Sequence, residues 1–63
     1  MKLIYTDPTT KARVWRDTDW EQYIVIPAGS NFDDEYGANY YTDDRADAIM
    51  TAGHIMPLEH TND

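Results

Sequence analysis

The sequence predicts an α+β domain: a small antiparallel sheet of three to four strands packed against one helix in the C-terminal half. Three observations predict it. The runs KLIYT, KARVWR and WEQYIVI are rich in β-branched and aromatic residues and are separated by polar turns. From Thr42 onward, TDDRADAIMTAG opens with capping residues and then takes up helical spacing. The length, 63 residues, allows one small core and no second domain.

Lys2 to Thr6 reads as the first strand, and Asp7-Pro8-Thr9-Thr10 as the turn after it. Asp caps its own backbone in such turns, and Pro8 has its φ preset for the second turn position. Residues 11–16 read as a second strand, with Ala12, Val14 and Arg16 on one face and Arg13 and Trp15 on the other. Asp17-Thr18-Asp19 makes a polar turn. Residues 20–26 give the strongest strand signal, ended by Pro27-Ala28-Gly29. A polar loop over 30–37 follows, and residues 38–41 can add a short edge strand. The helix is expected to take Thr42 as its N-cap, with Asp43 and Asp44 in a first turn that favours carboxylates. Ala46, Ile49, Met50 and Gly53 then form one apolar stripe, and Gly53 suits a left-handed stop. Residues 55–58 are expected to fold back on the core or pair at an edge, and 59–63 to fray. A sheet covered on one side leaves its other face wet, a place for tyrosines and acids.

Composition narrows the function. The chain has no cysteine, which removes disulfides and thiolate metal sites. MKLIY is too short for a signal-peptide core or a membrane span, so a soluble, unprocessed protein is expected. The net charge of −7 is unevenly spread. Residues 1–16 set four cations (Lys2, Lys11, Arg13, Arg16) against Asp7 alone, whereas residues 17–63 set eleven acids against Arg45. Such acidity disfavours nucleic acid or anionic membrane as a direct partner and favours a basic protein surface.

Specific chemistry finds few candidates. An EF-hand loop needs Gly at its sixth position and Glu at its twelfth. A start at Asp17 puts Gln22 and Ala28 there, and a start at Asp33 puts Ala38 and Asp44. Both frames fail where the loop must close. His54 and His60 lie six apart across Pro57 and share no helix face, so no metal site and no cofactor are expected. No histidine has a recognisable spacing to a nucleophile, and a core this small leaves little room for a substrate pocket. The expectation is a protein that is not an enzyme.

The acids themselves remain. Six carboxylates share residues 31–47 with one arginine. Alternate residues of an extended segment lie roughly 6.6 Å apart on one side, the spacing available to Asp17, Asp19 and Glu21. Asp43 and Asp47 on a helix lie about 6 Å apart along its axis. Both intervals are comparable to successive phosphates of a nucleic-acid strand, so an ordered carboxylate array can occupy a groove built for DNA. The candidate partner-binding residues are Asp17, Asp19, Glu21, Asp33, Asp34, Glu35, Asp43, Asp44 and Asp47, with Tyr36, Tyr40 and Tyr41 as aromatic anchors. Against this stands the plainer reading of a solvated acidic face, with Asp43 and Asp44 serving the helix cap.

The whole chain, and in particular VWRDTDWEQYIVI followed by ANYYTDDRADAIMTA, resembles the small acidic proteins with which phages inhibit bacterial defence, above all anti-CRISPR proteins. Within that group it looks like the type I inhibitors, among them those acting on the type I-C complex. The resemblance implies a phage-encoded, monomeric inhibitor in the bacterial cytoplasm. Its partner would be a subunit of the Cascade surveillance complex, whose basic DNA-recognition surface a DNA-mimicking face would block. It implies no catalytic residue. The basic start of the chain departs from a uniformly acidic mimic and restricts the contact to one face. The rival expectation is a non-enzymatic interaction module that binds through an aromatic sheet face, its acidity serving solubility only.

Overall fold

The computed structural model describes residues 1–58, so the expected frayed tail, 59–63, lies outside the described residues. Four strands, β1 (Lys2–Thr6), β2 (Arg13–Asp17), β3 (Gln22–Ile26) and β4 (Tyr40–Thr42), are followed by one helix, α1 (Arg45–Ala52). The strands run as an antiparallel meander in the order β1-β2-β3-β4, with α1 packed across one face. The α+β arrangement read from the sequence is the one observed.

Strand limits differ from expectation where the backbone turns. β2 begins at Arg13 because Lys11 is left-handed (φ 64) and donates its N–H to the Asp7 carbonyl at 3.0 Å. β3 begins at Gln22 because Trp20 and the left-handed Glu21 (φ 49) belong to the preceding turn. The pairing register sets the two faces, since paired residues lie on the same side. Val14 faces Val25, which faces Tyr40; Trp15 faces Ile24, which faces Tyr41. An irregularity between Leu3 and Tyr5 in β1 lets Ile4 and Tyr5 both pack against the core.

On the helix side, Ala12, Val14 and Val25 close over Ala48 and Ala52, all fully buried. The stripe expected on the helix is displaced. Met50 is 64% exposed, and the buried pair is Ala48 and Ala52, one turn apart. At the N-terminus Asp44, not Thr42, caps the helix. Its side chain accepts the N–H groups of Ala46 and Asp47, while Thr42 is held in β4 opposite Tyr23. Ala48 and Ala52 are the buried contacts of the helix with the sheet, and their small size permits close approach. Gly53 is not left-handed either: at φ −71 it continues the helical turn, and its N–H reaches the Ile49 and Met50 carbonyls.

The opposite face is not wet. Ile24 and Ile26 are buried there, and the Phe32 ring meets the edge of Trp15 at a centroid separation of 5.0 Å. The long connection from Pro27 to Asn39 covers this side. Consecutive turns hold it in place: Ser30 N–H to Pro27 O, Asp34 N–H to Asn31 O and Gly37 N–H to Asp34 O. Arg13 clamps it to the sheet by donating to the Ser30 carbonyl at 2.9 Å. Residues 55–58 fold back, with Ile55 against the core and the Leu58 N–H on the Ala28 carbonyl at 2.7 Å.

Candidate partner-binding surface

Tyr40 and Tyr41 are consecutive residues of an edge strand, so their side chains leave on opposite faces of the sheet. Each finds a carboxylate. Tyr40 turns to the helix side and donates its hydroxyl to Asp47 Oδ2 at 2.6 Å. Tyr41 turns to the loop side and donates to Asp34 Oδ2 at 3.2 Å. The hydrogen bond to Asp47 holds the Tyr40 phenol above its ordinary pKa, assisted by burial and the charges of Asp47 and Asp44. Burial is the leading cause of the upward shift at Tyr41, followed by the charge of Asp34 and its hydrogen bond.

The other acids distribute around this strand. Asp34 is left-handed (φ 50), and its Oδ1 accepts the Asn39 N–H at 2.9 Å, so one carboxylate both shapes the loop and fixes Tyr41. Asp33, Glu35 and Tyr36 are exposed beside it. Asp43 is exposed just before the helix, and Asp44 is spent on the cap while staying at the surface. Asp43 therefore precedes the helix instead of lying one helical turn from Asp47 within it.

Asp17, Asp19 and Glu21 do not form the extended array their spacing suggested. The chain turns at 18–21, and Asp17 is only 8% exposed. Its Oδ1 accepts the N–H groups of Asp19 at 3.0 Å and Trp20 at 3.4 Å, an Asx-type turn that draws its carboxylate inward. Asp19 and Glu21 are left exposed on either side of Trp20, which is 78% exposed. Sequence reasoning assigned Trp20 to a strand. The signal available was a lone tryptophan between two acids in a segment already dense with turn formers.

The structure thus brings together Asp34, Tyr41, Tyr40 and Asp47 along β4, with Asp33, Glu35, Asp43 and Asp44 flanking them. The turn from Asp17 to Glu21 lies beyond the end of the ladder where Asp17 faces Gln22. Basic side chains are divided: Arg13 donates to the Ser30 carbonyl of the loop and Arg45 opens the helix between Asp44 and Asp47, while others lie away from β4. Lys2 faces Arg16 toward the β1 side, and the Arg16 guanidinium stacks over the Tyr23 ring at 4.8 Å.

Other chemistry has little geometry to use. Among the described residues, no three or more His, Cys, Asp or Glu side chains gather in a way that could hold a metal ion. A dent lined by Gly29, Ser30, Asn31, Glu35, Tyr36 and Leu58 has a volume of about 50 Å³, well below the roughly 300–1,000 Å³ of small-molecule sites. No helix among the described residues is long and apolar enough to cross a membrane. Comparison with protein-family models, with curated proteins and with solved structures finds no match to the chain.

Proposed function

We propose that the protein is a non-enzymatic inhibitor that docks its β4 side on a basic, DNA-recognising protein surface and keeps the nucleic acid out. The observation that carries this reading is the pair of carboxylates, Asp34 and Asp47, oriented by tyrosine hydroxyls on both faces of one edge strand. Carboxylates already fixed in place lose little freedom on binding, and so compete well for arginines and lysines that expect a phosphate backbone. Tyr40 and Tyr41, each more than a third exposed, add aromatic contact between them. The resemblance to anti-CRISPR proteins suggests the specific partner: a Cascade subunit of a type I system, in the cytoplasm of an infected bacterium, bound by a monomeric phage protein.

The rival module with an open aromatic sheet face has less support. Trp15 lies under Phe32, Tyr23 lies under Arg16, and the well-exposed aromatics sit in turns, in the loop and on the edge strand.

Binding of the protein to purified type I-C Cascade, measured by biolayer interferometry across a salt series, tests the proposal. Affinity should fall steeply with salt, and the variant D33K/E35K/D43K should lose at least tenfold. Duplex DNA carrying the target should compete. Binding indifferent to both salt and charge reversal would remove the mimicry, and absence of binding would remove the partner.

A further inference from the structure

We propose that the turn joining β2 and β3 is the anchor of the interface, inserting the Trp20 indole into an apolar pocket rimmed by basic side chains on the partner protein. This rests on the docking reading above and adds where the contact is centred and what the partner must offer.

Three independent observations converge on the turn. First, Trp20 is the most exposed aromatic residue among those described, at 78%. Tryptophan is the residue most enriched in interface hot spots, and its large apolar area is costly to leave in water. Second, its backbone is held ready. Asp17, buried at the last pair of the β2–β3 ladder, accepts the Trp20 N–H and that of Asp19 before it. An anchor held this way gives up little entropy on binding. Third, Glu21 occupies a left-handed conformation at φ 49, where glycine would fit without strain. Lys11 and Asp34 share that conformation in their own turns, and aspartate tolerates it better than lysine or glutamate does. A carboxylate kept at a strained position is a reason to look for its use.

The partner's chemistry follows from the flanks. Asp19 and Glu21, the neighbours of Trp20 in the turn, are both exposed, so the surface that receives Trp20 must present cations beside its pocket. Asp43 lies toward the same end of the sheet, because it follows Thr42, which faces Tyr23 next to Gln22. Nucleic acid does not fit. Its phosphates would meet the two carboxylates before any base reached the ring. A basic protein surface with an apolar slot does fit.

The test uses the full chain labelled with 5-fluorotryptophan and purified, unlabelled type I-C Cascade. The ¹⁹F spectrum of the free protein should show two resonances, from Trp15 and Trp20. On adding the complex, the Trp20 resonance should shift or broaden far more than that of Trp15, which is packed against Phe32. W20A should weaken binding at least about 30-fold, the hot-spot range, with an unchanged thermal midpoint. W20F should keep part of the affinity. Native affinity in W20A, or a Trp20 resonance that stays put in the complex, overturns the anchor while leaving the docking reading intact. Failure of the native protein to bind removes the Cascade partner and, with it, an anchor on that partner, and is told apart because it precedes any substitution.

Discussion

Asp7 shows how one carboxylate in this acidic chain works inward. It is 7% exposed, its Oδ1 accepts the N–H groups of Thr9 at 2.8 Å and Thr10 at 2.9 Å, and its Oδ2 takes the Tyr5 hydroxyl at 3.4 Å. The Thr10 backbone bond leads in holding its pKa below the ordinary value, against burial, which pushes upward. A depressed folded-state pKa means that ionised Asp7 stabilises the fold above the unfolded value of about 4. That contribution should fade as pH falls from about 4 through the lowered folded value. Thermal melts of the native protein and D7N across acid pH should therefore differ at neutrality and converge in acid. Parallel curves would show that the charge of Asp7 carries no stability. The contrast with Asp33 or Glu35 is one of position, since all are carboxylates and only the local backbone decides which are spent on the fold. Sequence reading saw the Asp7 turn correctly, because Asp-Pro-Thr-Thr is a strong turn signature. It did not see that Asp17 does the same work, because a run of acids looks like surface until its hydrogen bonds are known.

At the level of elements, the strands were legible and the coverings were not. Val14, Ile24, Val25 and Ile26 announce themselves as sheet residues, and the register then sets Val14 opposite Val25. The helix start was misplaced because Thr42 and Asp44 are both good caps, and only the ladder with β3 chooses between them. The cover over the second face was invisible because Phe32 sits in a segment of Asn, Asp and Gly with no periodicity. That loop is tied to residues 55–58 at one tight point. Gly29 is left-handed (φ +89), and a Cβ there would collide with the Leu58 carbonyl oxygen. G29A should therefore cost about 1–3 kcal/mol in urea unfolding, combining backbone strain with loss of the Leu58–Ala28 bond. A loss of only a few tenths would mean that residues 55–58 add nothing to the cover.

For the molecule as a whole, charge opposes compactness. The chain carries a net charge of −7, and the folded body has principal extents of only 38 × 23 × 15 Å. At about 10 mM ionic strength the Debye length is roughly 30 Å, so carboxylates on opposite sides still repel one another; at about 1 M it is roughly 3 Å. Sodium chloride should accordingly raise the thermal midpoint at neutral pH. A midpoint that drops with salt would mean that attractive pairs outweigh the repulsion. The same salt that steadies the fold should weaken docking, which gives the two effects opposite signs in one titration series. The charge asymmetry along the chain was fully legible in the sequence. Its arrangement in space was not, because the acids of the loop and those of the helix end reach the same edge from opposite sides.

Those two approaches meet in β4, three residues long. Through Tyr40 and Tyr41 it acts as a rivet driven through the sheet, with one head on the helix and the other on the loop. Prising it from β3 would pull at both hydroxyl bonds at once, so a disturbance on one face of the sheet is felt on the other.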